Sequence, residues 1–187
     1  MLAIEPRSVD GRHTYAHWLA TQGRVHEAIE IQRKVAEDDP LGSSRWNNLG
    51  GYYQSSGQLD LSQKALERAL EVGPDSDWPH FLLATNLLLQ GKAAEALPWI
   101  AQIRSPFYKL AIESMAQHSL GHPKESEDAL NELIRRYGKE RPWHVAIPFA
   151  WRGDLDRAFE WLELAYQQRP HGRWVARPRA GLLGLLP

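Results

Sequence analysis

Two pairs of histidines are the residues whose type and spacing could support chemistry in this chain of 187 residues. His13 and His17 are four residues apart, as are His118 and His122. This spacing places two imidazoles on one face of a helix, where a zinc site can begin. Neither pair has the glutamate of a His-Glu-x-x-His motif, no third ligand is apparent, and Gly121 is expected to end the helix before His122. We therefore expect exposed or groove-lining histidines, with no metal site and no cofactor.

Other catalytic arrangements are missing from the sequence. There is no cysteine, which excludes thiolate nucleophiles, disulfides and cysteine-based metal sites. Gly91-Lys92 lacks the glycine spacing of a phosphate-binding loop, and no Gly-x-Ser-x-Gly motif occurs. Paired acids such as Asp38 and Asp39 are explained more simply as surface charge. We predict no catalytic residues and a protein that is not an enzyme.

Charge and hydropathy exclude two further classes of partner. The 22 basic and 23 acidic residues give a net charge of −1, so there is no basic field for nucleic acid. The longest nearly apolar stretch, residues 80–89, is about half of what spans a bilayer, so we expect no membrane insertion. The N-terminus carries an acid and a proline where a signal peptide needs an apolar run. We expect a soluble, cytoplasmic protein, although the lack of cysteine is equally compatible with the periplasm.

A periodic pattern of glycine and proline indicates the elements that position these residues. Five glycines recur along the chain at a nearly constant interval, which becomes slightly shorter after the third: Gly23, Gly57, Gly91, Gly121 and Gly153. Three prolines keep the same interval as the first three glycines: Pro6, Pro40 and Pro74. Repeats of this length, about 34 residues, are typical of helical units that cannot bury an apolar face alone and therefore stack into one continuous core.

Residues 43–76 carry the clearest repeat. They read Trp46-x-x-Leu49-Gly50-x-x-Tyr53, followed by Gly57, Ser62, Leu66, Ala69 and Pro74. This pattern resembles the tetratricopeptide repeat, a helix–turn–helix unit. The resemblance implies an all-α, right-handed superhelical solenoid of about five units. We place the units at residues 9–42, 43–76, 77–106, 107–138 and 139–172, with 1–8 as the remnant of a preceding unit and 173–187 as a C-terminal tail.

Packing within each unit depends on small residues and on the turn glycine. A small residue on the first helix, such as Gly50, faces one on the second helix, such as Ser62, so that the helices approach closely. The turn glycine ends the first helix in a left-handed conformation. Pro98 and Pro148 fall inside predicted helices and should kink them, so we expect residues 98–108 to be the least regular region. Glu113 occupies a position where the repeat has leucine.

The same resemblance implies where a partner binds. In this family the concave surface is built from outward residues of the first helices, and exposed aromatic side chains often anchor interfaces. We expect a groove for an apolar peptide or a partner helix. The alternative is that some of these side chains pack on a neighbouring unit or on the C-terminal tail. The positions are His13, His17, Asn47, Gly51, Gln54, Trp78, Phe81, Thr85, Leu88, Tyr108, Met115, His118, Trp143, Ile147 and Trp151.

One ligand class of the family does not fit the sequence. Chaperone-binding members hold a C-terminal carboxylate with lysine, asparagine and arginine from successive first helices. Asn48 matches one of those positions, but the others are taken by His13, His17, Trp78 and Leu82. Without the cationic donors the carboxylate would lose its charge-assisted hydrogen bonds. We therefore do not expect a heat-shock-chaperone adaptor.

Residues 150–166 carry a second, narrower resemblance. Their sequence, AWRGDLDRAFEWLELAY, is similar to the last repeat of tetratricopeptide arrays in bacterial multidomain signalling proteins. There the array follows a nucleotide cyclase, a serine/threonine kinase or a winged-helix transcriptional regulator. Arg177-Pro178 departs from that group, which usually has an acidic residue before the proline. The resemblance implies a protein-binding scaffold in a bacterial signalling or regulatory protein.

Two alternatives from other classes stay open. One is a structural element that forms a homo-oligomer through the open ends of the solenoid. The other is a metal- or proton-responsive switch that uses His13, His17 and His118, since histidine titrates near neutral pH.

Overall fold

The computed structural model describes residues 8–168, which form ten α-helices. The helices are α1 (Val9–Thr21), α2 (Val25–Asp38), α3 (Ser43–Ser55), α4 (Leu59–Val72), α5 (Asp77–Leu89), α6 (Ala93–Ala101), α7 (Pro106–Ser119), α8 (Pro123–Tyr137), α9 (Pro142–Trp151) and α10 (Leu155–Gln167). The fold is all-α and consists of five helix–turn–helix pairs, as the repeat pattern predicts. The predicted N-terminal remnant, apart from its last residue, and the C-terminal tail lie outside the described residues.

The turns have constant lengths along the described chain. Three residues separate the two helices of each pair, and four residues separate one pair from the next. Each turn within a pair contains a glycine with φ between 74° and 79°, which confirms the predicted left-handed conformation at Gly23, Gly57, Gly91, Gly121 and Gly153. The shorter intervals between glycines after Gly91 therefore come from helix length, because the turns do not change.

The two prolines predicted to disturb the repeat lie in the two shortest described helices. Pro98 is inside α6, which has 9 residues, and Pro148 is inside α9, which has 10 residues. Proline has no N–H to donate to the carbonyl four residues earlier, so it weakens the helix that contains it. The shortened unit after Gly91 is thus explained by a short α6. The turn after it, residues 102–105, is as long as the other turns between pairs.

The chain divides into two compact units, whose described parts are residues 8–82 and 83–168. The first unit contains α1 to α4 and the start of α5. Within it α1 packs against α2, α2 against α3, and α3 against α4. Its core cluster is made of Ala16, Leu19, Ala28, Ile29, Ala36, Leu49, Tyr52, Tyr53 and Ala65.

The second unit contains the rest of α5 and helices α6 to α10. Within it α7 packs against α6, α8 and α9, and α9 also packs against α8 and α10. Buried apolar side chains from these helices include Ala96, Ile100, Ile112, Leu130, Leu133, Val145, Phe149 and Leu162.

Small residues let the two helices of a pair cross closely. In the α3–α4 pair, the Ser62 hydroxyl donates to the Gly50 carbonyl at 2.8 Å. A Cβ at Gly50 would lie 2.6 Å from the side chain of Leu66, which is fully buried. In the α7–α8 pair, Ser126 donates to the Ser114 carbonyl at 2.7 Å and Ser114 donates to the Ser126 carbonyl at 3.1 Å. The predicted small-residue contact is therefore present in both pairs.

Between residues 8 and 168, every helix is too short or too polar to cross a membrane.

Replacing Gly50 with alanine should lower the free energy of unfolding by about 1–3 kcal/mol, because the new methyl group overpacks the contact with Leu66. The matched control is Gly51→Ala on the same helix, where the new Cβ would meet only the Leu82 Cδ1 atom at 3.7 Å. That control should be neutral or up to about 1 kcal/mol more stable, since alanine favours helix over glycine. Urea denaturation of both variants checks this. Equal destabilisation by the two substitutions would contradict it.

Candidate functional site

The first helices α1 and α3 lie side by side in the first unit, and polar side chains connect them. Asn48 Nδ2 is 3.4 Å from His13 Nε2, and the Tyr52 hydroxyl is 3.5 Å from His17 Nδ1. Arg45 donates to Asp10 at 2.5 Å at the beginning of the two helices. Each of these three contacts joins residues that are 35 positions apart in the sequence. The alignment of α1 with α3 is therefore the same at all three contacts.

Hydrogen bonds hold the His13 imidazole between Gln32 and Asn48. Gln32 Nε2 donates to the Arg45 carbonyl at 2.8 Å, which leaves Gln32 Oε1 to accept from His13 Nδ1 at 3.1 Å. His13 Nε2 can then accept from Asn48. Burial lowers the pKa of His13, which agrees with a neutral ring that is both donor and acceptor.

A stripe on α3 faces away from both the core and α1. Asn47, Gly51 and Ser55 are spaced by four residues, so they share one helix face, which we call the α3 stripe. Asn47 and Gly51 are partly exposed and Ser55 is exposed. On one side of the stripe, Gln54 Nε2 donates to the Leu82 carbonyl at 2.9 Å. On the other side, Asn48 and Tyr52 contact α1.

Two features of the α3 stripe are unexplained by folding. Gly51 lies in the middle of a helix, where glycine costs about 1 kcal/mol relative to alanine. Unlike Gly50, it has room for a Cβ, which would make one ordinary van der Waals contact, with Leu82 Cδ1 at 3.7 Å. The Asn47 Oδ1 atom is buried and has no hydrogen-bond partner among residues 8–168, although buried acceptors are normally paired.

In the second unit, the first helices α7 and α9 also lie side by side. Tyr108 and His144 form an edge-to-face pair with ring centroids 5.0 Å apart, and Phe107 packs on both rings. Towards the other end of the two helices, Trp151 Nε1 donates to the Ser119 hydroxyl at 3.0 Å. Near this contact His118 is exposed, and Trp143 is partly exposed at the start of α9.

Arg152 holds the turn between α9 and α10 against the α7–α8 pair. Its Nη2 atom lies 3.0 Å from the Ser114 hydroxyl and 2.6 Å from the Ser126 hydroxyl, and it also donates to the Ser126 carbonyl. Its Nη1 atom bonds Glu127 at 2.7 Å. Sequence reasoning did not single out Arg152. The one available signal is serine at both small-residue positions, 114 and 126, whose hydroxyls can accept from a guanidinium.

The predicted binding residues fall into two groups. Those with exposed or partly exposed side chains are His13, His17, Asn47, Trp78, Tyr108, His118, Trp143 and Trp151. Gly51 is also partly exposed. Six others are buried and do not belong to the surface, contrary to the prediction: Gln54, Phe81, Thr85, Leu88, Met115 and Ile147.

Packing against several helices explains two of these buried positions, and a hydrogen bond accompanies the burial of a third. Met115 is on α7, which contacts three other helices, and Ile147 is on α9, which also contacts three. A wide arc of each first helix is therefore covered. Gln54 is buried because its amide bonds the backbone of α5.

The predicted histidine pairs do not gather further metal ligands. Within residues 8–168, no three histidine or acidic side chains lie close enough to hold a metal ion together. His13 and His17 instead bond Gln32, Asn48 and Tyr52 of the first unit. His122 bonds Gln117 at 2.8 Å.

Comparison with known proteins identifies the repeat. Residues 43–76 match the family described as Tetratricopeptide repeat. No curated protein matches the chain significantly. Among solved structures, pilF of Pseudomonas aeruginosa has a TM-score of 0.63 and 14% identity, with 88% of this chain and 78% of that chain covered. YrrB, described as a TPR protein with an unusual peptide-binding site, has a TM-score of 0.56 and 15% identity. The match covers 96% of this chain and 92% of the YrrB chain. A crystal structure of MamA has a TM-score of 0.56 and 15% identity, with 81% of this chain and 92% of the MamA chain covered. These likenesses establish the fold.

Lowering the pH should destabilise the protein through His144. Burial, with a smaller contribution from Arg141, lowers the pKa of His144 to about 4 from an ordinary value of 6.5. The unfolded chain then binds a proton that the folded chain does not, so stability falls as the pH drops below 6.5, by up to about 1.4 kcal/mol per pH unit.

Denaturation of the wild type and the His144→Phe variant between pH 7 and pH 4 measures this effect. Phenylalanine fills a similar space and has no titrating group. The stability of the wild type relative to the variant should decrease steadily with falling pH. Parallel curves for the two proteins would contradict the assignment.

Proposed function

Since the chain is a tetratricopeptide-repeat protein, we propose that it is a scaffold that binds a peptide segment of a partner protein on the α3 stripe. The observation that carries this proposal is Gly51. Its glycine weakens α3, and no neighbouring atom requires the absence of a side chain. A peptide backbone that lies against the helix at this point would require it, because any side chain would occupy the same space.

The polar groups around Gly51 favour an uncharged segment of peptide. Asn47, one turn before Gly51, is partly exposed, and its Oδ1 atom has no partner in the described part of the chain, so the amide can accept a hydrogen bond from a peptide N–H when the side chain turns outward. Burial lowers the pKa of His13, and both ring nitrogens have neighbours within hydrogen-bond distance, which disfavours this imidazole as a cationic partner for a carboxylate. The nearby cation Arg45 is already paired with Asp10 and Asp39. A C-terminal carboxylate would therefore find no unpaired cation among these neighbours.

The second unit, taken by itself, also carries exposed side chains of a kind that favours peptide binding. Tyr108, His118, Trp143 and Trp151 are exposed or partly exposed on α7 and α9. Aromatic side chains that combine an apolar ring with a polar group are favoured at protein interfaces. The peptide-binding site named for YrrB, a protein of the same fold, supports a binding role of this type.

The proposed role is non-catalytic and belongs to a bacterial signalling or regulatory protein in the cytoplasm. This context rests on the resemblance of residues 150–166 to repeats of such proteins. The net charge of −1 favours a protein partner over nucleic acid.

The proposal is tested with peptides selected from a random-sequence library on the wild-type protein. Their affinity is then measured by fluorescence polarisation for the wild type and for Gly51→Gln. The new side chain should extend over the α3 stripe and weaken binding about tenfold or more, with the fold intact. The matched control is Ala94→Gln, a small-to-glutamine change at an exposed position of α6, which should leave the affinity unchanged. Equal affinities for wild type and Gly51→Gln, or no peptide selected, would overturn the proposal.

A further inference from the structure

Large apolar side chains are exposed on the first and the last described helices. On α1, Tyr15 is 48% and Trp18 36% exposed, and their rings stack with centroids 5.7 Å apart. On α10, Leu155 is 41% and Phe159 55% exposed. Burial of such side chains is favourable, so paired exposure on one helix face indicates a surface that another element covers.

The repeat register shows what covers the equivalent positions inside the chain. Tyr15 and Trp18 precede Leu49 and Tyr52 of α3 by one full repeat, so the two pairs occupy the same positions of a first helix. Both α3 residues are buried. In α3, therefore, both positions belong to the core of the first unit.

The exposed positions of α10 have equivalents on α2. Leu155 and Phe159 are the second and sixth residues after the turn glycine Gly153, as Val25 and Ile29 are after Gly23. Ile29 belongs to the same buried cluster as Leu49 and Tyr52, and Val25 packs against that cluster. The α2–α3 contact within the chain therefore shows how the exposed face of α10 and the exposed face of α1 would pack against each other.

We propose that α10 of one molecule packs on α1 of a second copy of this chain and recreates the α2–α3 contact between molecules. Leu155 and Phe159 would then bury Tyr15 and Trp18 of the second copy. We infer a second copy as the partner because this chain carries both surfaces of the contact. The apolar residues of α10 and α1 occupy the same repeat positions as those of α2 and α3. The contact joins two different surfaces, so it is head-to-tail and can extend to further copies.

Light scattering over about a hundredfold range of protein concentration tests this association. The weight-average mass of the wild type should rise above the 21.3 kDa of one chain as concentration increases. Trp18→Glu and Phe159→Glu should each remain at the mass of one chain, because a charged residue replaces an apolar contact. Both positions are exposed, so both variants should keep the circular dichroism spectrum of the wild type. The control Leu41→Glu, at a site that is 77% exposed and lies between α2 and α3, should associate like the wild type.

An equimolar mixture of the two end variants distinguishes a head-to-tail contact from other arrangements. Trp18→Glu keeps an intact α10 face and Phe159→Glu keeps an intact α1 face. The mixture should therefore reach twice the mass of one chain and no more. A wild type that stays at one chain throughout, association that survives either end variant, or a mixture that does not pair would overturn the proposal.

This association and the proposed peptide binding fail independently. Gly51→Gln should associate as the wild type does, because the α3 stripe lies outside both end faces. The two end variants should bind the selected peptides with wild-type affinity.

Discussion

The close crossing of the two helices within a pair, seen in α3–α4 and α7–α8, is the constraint on which the other features depend. At Gly50 and Ser62 the crossing leaves no room for a methyl group, and at Ser114 and Ser126 two hydroxyls bond across it. Because these pairs are tight and the turns between pairs have constant length, α1 and α3 lie side by side in the first unit, and α7 and α9 in the second. That proximity places His13 beside Asn48 and Tyr108 beside His144.

Two adjacent glycines of α3 differ in role: one is required by helix packing, and the other lies on the surface proposed to bind a peptide. Gly50 and Gly51 are neighbours in sequence, but a Cβ at Gly50 would clash with Leu66 in the core, whereas a Cβ at Gly51 would make only an ordinary contact with Leu82. Buried polar groups divide in the same way. Gln32, at a leucine position of the repeat, has a partner for each polar atom, His13 for Oε1 and the Arg45 carbonyl for Nε2, whereas Asn47 Oδ1 has no partner in the described part of the chain. The proposed function uses the groups that folding leaves unexplained.

Much of the fold could be predicted from spacing, because a left-handed turn and a close helix crossing each accept few residue types. The five turn glycines and the small residues of each pair mark these positions directly. The surface could not be predicted equally well, since the number of neighbours of a first helix is not visible in its own sequence. Met115 and Ile147 are buried because α7 and α9 each contact several helices. Arg152 was missed because its partners are 26 and 38 residues away. Glu113, at a leucine position, is only half-buried, and burial raises its pKa.

The central claim is that a peptide lies along α3, and NMR of the 15N-labelled protein with a selected peptide tests it most directly. The account predicts that the largest chemical-shift changes occur at Asn47, Gly51, Ser55 and His17. The exposed surfaces of α2 and α4, including Glu30 and Lys64, should be unaffected. Shift changes concentrated on α2 or α4, with the α3 amides unchanged, would contradict the account.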